Sequence, residues 1–288
     1  MTRQAPGPGR GNARAWGLLL PALLWTAAFF AMPLVIMGLY SLWRRVGMTL
    51  VHDVSLANYE KFFATQAFYG SLVNSIEVTL IVTVVSILLA YPLAYILAEK
   101  VPRQWQRMAL ILAVLPFWTS YLVRSYSWLL VLSKGGIISN FLLDIGLTDE
   151  LVSFANSRGA TVVGFVHFFV MLLTLTIYAN LAQLPPSYRK AAADLGAGPV
   201  RTFVYVILPL TLPGIMVGAF LTFVLCIGDY ITPQILGGYS ELLLPQTIML
   251  QIARRSDFPM ASAMAMILMA VVTLVYLGCA RWLKLDRL

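Results

Sequence analysis

Six long apolar runs constrain this chain more tightly than any other feature. They cover approximately residues 16–42, 72–98, 108–132, 159–184, 207–230 and 259–283, and each meets the roughly 20 residues a helix needs to cross a bilayer. Lipid offers no partner to backbone polar groups, so such runs must satisfy their own hydrogen bonds as helices. An all-α integral membrane protein with six transmembrane helices follows. Composition agrees: of 288 residues, 60% are hydrophobic and 11% charged, against about 25% charged in an average soluble domain. The first run follows Arg3, Arg10 and Arg14, as a secretory signal would. It is too long for one and lacks a small-residue cleavage site, so it reads as a retained helix. Residues 1–15, with glycine and proline near the start, are expected to form a disordered cytoplasmic tail. Residues 16–288 are then the membrane domain.

Loop charges orient the spans. Twelve Lys and Arg fall in the two tails and in the loops around residues 100–107 and 189–201, and seven fall in the opposite loops. The positive-inside rule therefore places both termini in the cytoplasm. The net charge of +8 is scattered in short loops and forms no basic stripe of the kind that nucleic acid selects. Cys226 and Cys279 lie inside apolar runs, far from any Cys-x-x-Cys spacing, and read as small buried hydrophobes. His52 and His167 are isolated, and no His, Cys or carboxylate cluster has metal-ligand spacing, so no catalytic or metal-binding residue is assigned. His167, inside the fourth run, reads as a hydrogen-bonded packing residue. No Gly-x-x-x-x-Gly-Lys-Ser/Thr phosphate loop is present, so the chain is not expected to hydrolyse ATP or to be an enzyme. Pro33, Pro92, Pro116 and Pro213 should bend the spans, and Gly214 with Gly218 would let two helices approach closely.

One polar stretch separates the fourth and fifth runs, within a loop spanning residues 185–209. Pro185-Pro186 stops the preceding helix, Ser187 can cap a new one, and Gly196 suits a left-handed end. Gly198-Pro199 then offers a cap and first-turn proline for a second short helix. Tyr188, Ala191, Ala192 and Leu195 fall on one face, small enough for a partner to come close. Lys190 and Asp194 are spaced as an i,i+4 pair. Such a helix could also rest on a membrane surface.

This loop resembles the cytoplasmic loop of the inner-membrane permease subunits of bacterial binding-protein-dependent ABC importers. In that family an Ala-Ala pair is followed by a glycine and, after nine intervening residues, by Ile-x-Leu-Pro. Ala191-Ala192, Gly196 and Val206-Ile207-Leu208-Pro209 match that pattern and lie between the expected spans. Lys190 stands where the family usually has glutamate, and Val206 replaces isoleucine. A second resemblance is to spermidine/putrescine permeases. It rests on the stretches 116–126 (PFWTSYLVRSY) and 228–238 (GDYITPQILGG), on Leu56-Ala57-Asn58-Tyr59, and on Asn74-Ser75. The resemblance implies a type I importer permease (MetI-like) fold in the bacterial inner membrane. It also implies a cytoplasmic ABC ATPase dimer carrying ATP and Mg, a second homologous permease subunit and a periplasmic or lipid-anchored solute-binding protein. No cofactor would be bound by this subunit. The residues expected to couple to the ATPase are Tyr188, Lys190, Ala191, Ala192, Asp194, Leu195, Gly196, Leu208 and Pro209.

Ionisable groups in or near the spans are few: Glu77, Arg124 and Asp229, all placed towards the outer ends. With Trp118 and Tyr230 they are the candidates for a substrate pathway. Asp229 reads equally as a solute contact or as a structural partner of Arg124. Polyamine is the expected solute; another organic cation, an amino-acid derivative or ferric iron are the alternatives. A secondary transporter or channel would need more ionisable groups within the spans and a repeated half.

Overall fold

A computed structural model describes residues 19–47, 49–239 and 241–283. The expected tail at 1–15 lies outside the described residues. The elements in chain order are α1 (Leu19–Leu42), a hairpin of β1 (Arg44–Val46) and β2 (Thr49–Val51), α2 (Ala57–Ala64) and α3 (Gln66–Glu99). There follow α4 (Arg103–Val114), α5 (Tyr121–Leu132), α6 (Ile137–Asp144), α7 (Arg158–Ala182) and α8 (Ser187–Asp194). The last are α9 (Pro199–Ile227), α10 (Ile231–Leu236), α11 (Leu244–Ala253) and α12 (Phe258–Leu283). Six segments are long and apolar enough to cross a membrane: α1, α3, Tyr121–Asp144, α7, α9 and Phe258–Ala280.

The third segment differs from the expected 108–132. A 3-10 turn over Leu115–Trp118 and extended backbone at Thr119 and Ser120 split that run into α4 and α5. Pro116 causes the break, because its ring cannot continue the helical bonding of the preceding turn. The Pro116 carbonyl is satisfied instead by the Thr119 hydroxyl at 2.7 Å and by Nη1 of Arg124 at 3.1 Å. The other prolines are absorbed. Pro92 and Pro213 sit inside continuous helices. Pro33 and Pro209 each follow a π-helical turn, Ala27–Ala31 and Phe203–Ile207, and such a widened turn accommodates a missing N–H.

The chain forms two compact units. In the one comprising residues 65–247 and 268–288, α7 is packed between α3 and α9. One buried cluster joins Ala90, Tyr91 and Ala94 of α3 to Leu173, Ile177 and Leu181 of α7 and Ile207 and Ile215 of α9. A second joins Val78 and Val82 to Phe165, Val166, Phe169 and Cys226. The glycine pair of α9 is used inside the chain: a Cβ at Gly214 would overlap the Asn180 amide, and one at Gly218 would lie 2.8 Å from a Leu173 methyl. Buried hydroxyls mostly bond back to their own helix, as Thr83, Thr174 and Thr211 do at 2.7–3.0 Å. Tyr91 and Thr211 instead share a bond of 3.0 Å between α3 and α9. Ser157 caps α7 by accepting from Ala160 N at 3.1 Å.

In the unit of residues 1–64 and 248–267, the hairpin is closed by an Arg44–Asp53 ion pair. The Arg44 guanidinium, hydrogen-bonding the Asp53 carboxylate, holds its pKa below the usual carboxylate value. Asn58 fastens α2 to the end of α1 by donating to the carbonyls of Ser41 at 2.9 Å and Trp43 at 2.7 Å.

Gly218→Leu would push α9 away from α7, and over-packing of this kind costs about 1–3 kcal/mol. The expected outcome is a lower thermal midpoint of the detergent-purified protein, while Gly278→Leu, where a Cβ meets nothing within 4 Å, leaves the midpoint unchanged.

Candidate functional site

Two regions gather the residues singled out by sequence. The first is α8 and its flanks. Ser187 is the first residue of α8 and makes no side-chain capping bond; the helix starts from Pro186 instead, so the expected serine cap is corrected. Gly196 does end the helix in the left-handed region, at φ +78°. Gly196 N donates to Ala193 O and Ala197 N to Ala192 O, both at 2.9 Å, which satisfies the last carbonyls as a Schellman motif. Gly198 and Pro199 do begin a helix, but not the short one expected: it continues through a π-helical turn as the 29-residue α9.

The expected face of α8 divides in two. Ala192 is 7% exposed and turned into this chain, whereas Tyr188 and Ala191 are exposed and Leu195 is 89% exposed. The assignment of Ala192 to a partner-facing surface is therefore corrected. Lys190 and Asp194 are exposed, and no ion pair joins them among the described residues. The charge that matters structurally is Arg189, which pairs with Glu99 at the end of α3. Nothing in the local sequence signals that pair, since 90 residues separate its members. Ile207 is buried and Leu208 packs against the same cluster, so Leu208-Pro209 belongs to the seam where α9 enters the core.

The second region surrounds Tyr121, at the start of α5. Its hydroxyl donates to the Asp229 carboxylate and also bonds Thr232. Asp229 further accepts from Ile231 N at 2.9 Å and Thr232 N at 3.3 Å. The carboxylate thus holds the first turn of α10 and ties it to α5. Gly164 lets α10 lie close on α7 as well, since a Cβ there would overlap a Leu236 methyl. Arg124 is 7% exposed. Its guanidinium carbon lies 5.4 Å from the centre of the Tyr121 ring and 4.8 Å from that of Phe168.

Arg124 neither snorkels nor pairs with Asp229; the Tyr121 ring lies against it and bonds the carboxylate. Phe168 lies ten residues (168 − 158) into the 25-residue α7, about 15 Å from one end and about 21 Å from the other at 1.5 Å per residue. Glu77 faces outward and lies 2.7 Å from Arg158. That contact is a charge pair rather than an aligned hydrogen bond, for the same Arg158 nitrogen is buried without an acceptor. Trp118 is 84% exposed, and Tyr230 is half-buried beside Asp229. Trp128 donates to Nδ1 of His167 at 2.7 Å, the packing role expected of that histidine. Among the described residues no group of three or more His, Cys, Asp or Glu gathers to hold a metal.

If Asp229 organises α10 through Tyr121, the two side chains must be energetically coupled. A double-mutant cycle of Tyr121→Phe and Asp229→Asn, read by unfolding of the purified protein, should give about 1.5–3 kcal/mol, the range for a hydrogen bond to a charged group. Additive effects would contradict the arrangement.

The comparisons with known proteins agree with this architecture. Residues 15–284 match the family described as "Binding-protein-dependent transport system inner membrane component". The Inner membrane ABC transporter permease protein YdcU of Escherichia coli (strain K12) is 31% identical over 293 residues, covering 93% of this chain and 92% of that protein. The Spermidine/putrescine transport system permease protein PotB of the same strain is 30% identical over 264 residues, covering 90% and 95%. Among solved structures, a chain of a bacterial alginate ABC transporter, in complex with alginate pentasaccharide-bound periplasmic protein, superposes with a TM-score of 0.80. It has 15% identity and 96% coverage of both chains, a likeness of fold. With a match over nearly its whole length and six spans in place, the chain belongs to the inner membrane components of binding-protein-dependent transport systems, the permease subunits of ABC importers.

Proposed function

We propose that this permease subunit carries a polyamine of the spermidine/putrescine class across the bacterial inner membrane. The observation that carries the reading is the 30% identity to the spermidine/putrescine permease PotB over 90% of this chain. ATP hydrolysis belongs to a separate ATPase subunit. In the assembly the chain works beside a second permease subunit, and a binding protein delivers solute on the periplasmic side. Both termini and α8 face the cytoplasm, in keeping with the twelve-to-seven bias of loop charge. Polyamine ammonium groups would be met by Asp229 and Glu77, with Tyr230 and the exposed ring of Trp118 supplying aromatic faces for cations.

The loop 185–209 is proposed as the coupling loop, with Tyr188, Ala191 and Leu195 as the surface that meets the ATPase. Leu195 supports this: a leucine 89% exposed at the end of a short polar helix has no use within this chain. Ala192 supports the docking helix from beneath, and Arg189 holds it to α3 through Glu99. Lys190 and Asp194 flank the surface, and Gly196 sets the turn out of it.

The test is transport by the complete complex in proteoliposomes, with its binding protein supplied. Labelled putrescine or spermidine should accumulate with ATP, and either should stimulate ATP hydrolysis through the loaded binding protein. Uptake of a different solute class with no response to polyamines would overturn the solute reading. Leu195→Asp places an unpaired charge in the proposed contact, which costs several kcal/mol to desolvate. It should leave the protein in the membrane and remove the ATPase on co-purification; retention of ATPase and uptake would overturn the docking surface.

A further inference from the structure

A cationic side chain deep in the membrane segment has no carboxylate to meet it within the described chain, and it lines an open cavity. The cavity has a volume of about 320 Å³. One wall is a stripe at four-residue spacing, Thr119, Val123, Ser127 and Val131, and His167 of α7 stands on another. Arg124, more than nine-tenths buried, also lines it. A guanidinium has five N–H donors. One nitrogen of Arg124 donates to the Pro116 carbonyl, and the flat faces of Tyr121 and Phe168 cover its sides. No ion pair forms at Arg124 among the described residues. An ionised group at this depth is costly unless it is paired or reaches water.

We propose that this cavity receives an acidic side chain of the second permease subunit, which pairs with Arg124. Three observations select that occupant. A lipid phosphate lies at the surface of a hydrocarbon core about 30 Å thick, whereas Arg124 stacks on Phe168 about 15 Å from the nearer end of α7. A polyamine is cationic and is repelled by a guanidinium, so the solute does not fit. The rim of the cavity is apolar and outward-facing, with Val123 and neighbouring Leu122, Tyr126 and Leu130 all exposed, which suits a helix from another membrane subunit. A planar carboxylate matches the fork of a guanidinium with two parallel hydrogen bonds.

The proposal rests on this chain working beside a second permease subunit and, in setting the solute aside as occupant, on the polyamine reading; its cross-linking and assembly readouts need no solute, so their failure is distinguishable from failure of that reading. In the co-expressed full complex, a photo-reactive amino acid at Ser127 should form an adduct with the second permease subunit within a turn of an intramembrane Asp or Glu. Arg124→Gln should cut recovery of that subunit in detergent at least tenfold, while Arg124→Lys keeps half or more. Adducts on lipid alone, or on no partner, would overturn the proposal. So would full assembly of Arg124→Gln with only a raised KM for uptake, which would assign the arginine to the solute. Should Arg124→Gln fail to accumulate in the membrane, the Ser127 adduct decides on its own.

Discussion

Close contact between α7 and its two neighbours is the interaction on which the membrane domain depends. In lipid an apolar side chain gains little by exchanging acyl chains for protein, so helices hold together by packing density and a few shared hydrogen bonds. That is why the small residues matter here. Gly214 and Gly218 bring α9 onto Asn180 and Leu173, and Ala90 and Ala94 do the same for α3 in the cluster around Ile177. The Tyr91–Thr211 bond adds a polar link across that seam. With α7 so placed, its half nearer Arg158 offers Gly164 to α10 and Phe168 to Arg124. Its other end leads directly into the loop that carries α8.

The polar groups follow from the same constraint. Hydroxyls at Thr83, Thr174 and Thr211 are returned to their own helix and cost little. The break at Pro116 frees a carbonyl, and Thr119 and Arg124 take it up, as a broken helix in a membrane requires. Asp229 spends its acceptor capacity on two backbone N–H groups and the Tyr121 hydroxyl. Its charge therefore belongs to the local scaffold. Arg124 forms no ion pair among the described residues.

Much of the fold was legible from apolar run length, because six spans leave a signal that no other element imitates. Gly196, Gly198-Pro199 and the Gly214–Gly218 pair were also legible, since each residue type answers one backbone or packing need. The break within 108–132 was not, because Pro92 and Pro213 show that a proline can equally be carried inside a continuous helix. Helical spacing placed Tyr188, Ala191, Ala192 and Leu195 on a common face but could not say which of them this chain itself covers. Ala192 goes inward because α8 folds back on the core, with Arg189 reaching Glu99 across 90 residues of sequence. The contact of Arg124 with Phe168 was hidden for the same reason: 44 residues of sequence separate the two.

If ATP-driven movement enters this subunit through α8, the exposed side of that helix must lie against the ATPase while its buried side stays within the chain. Site-specific photo-cross-linking in the assembled complex separates the two. A photo-reactive group at Leu195 is predicted to label the ATPase, and one at Lys61, in α2, to leave it unlabelled. Labelling of lipid alone from Leu195, in a complex that retains its ATPase, would contradict the account.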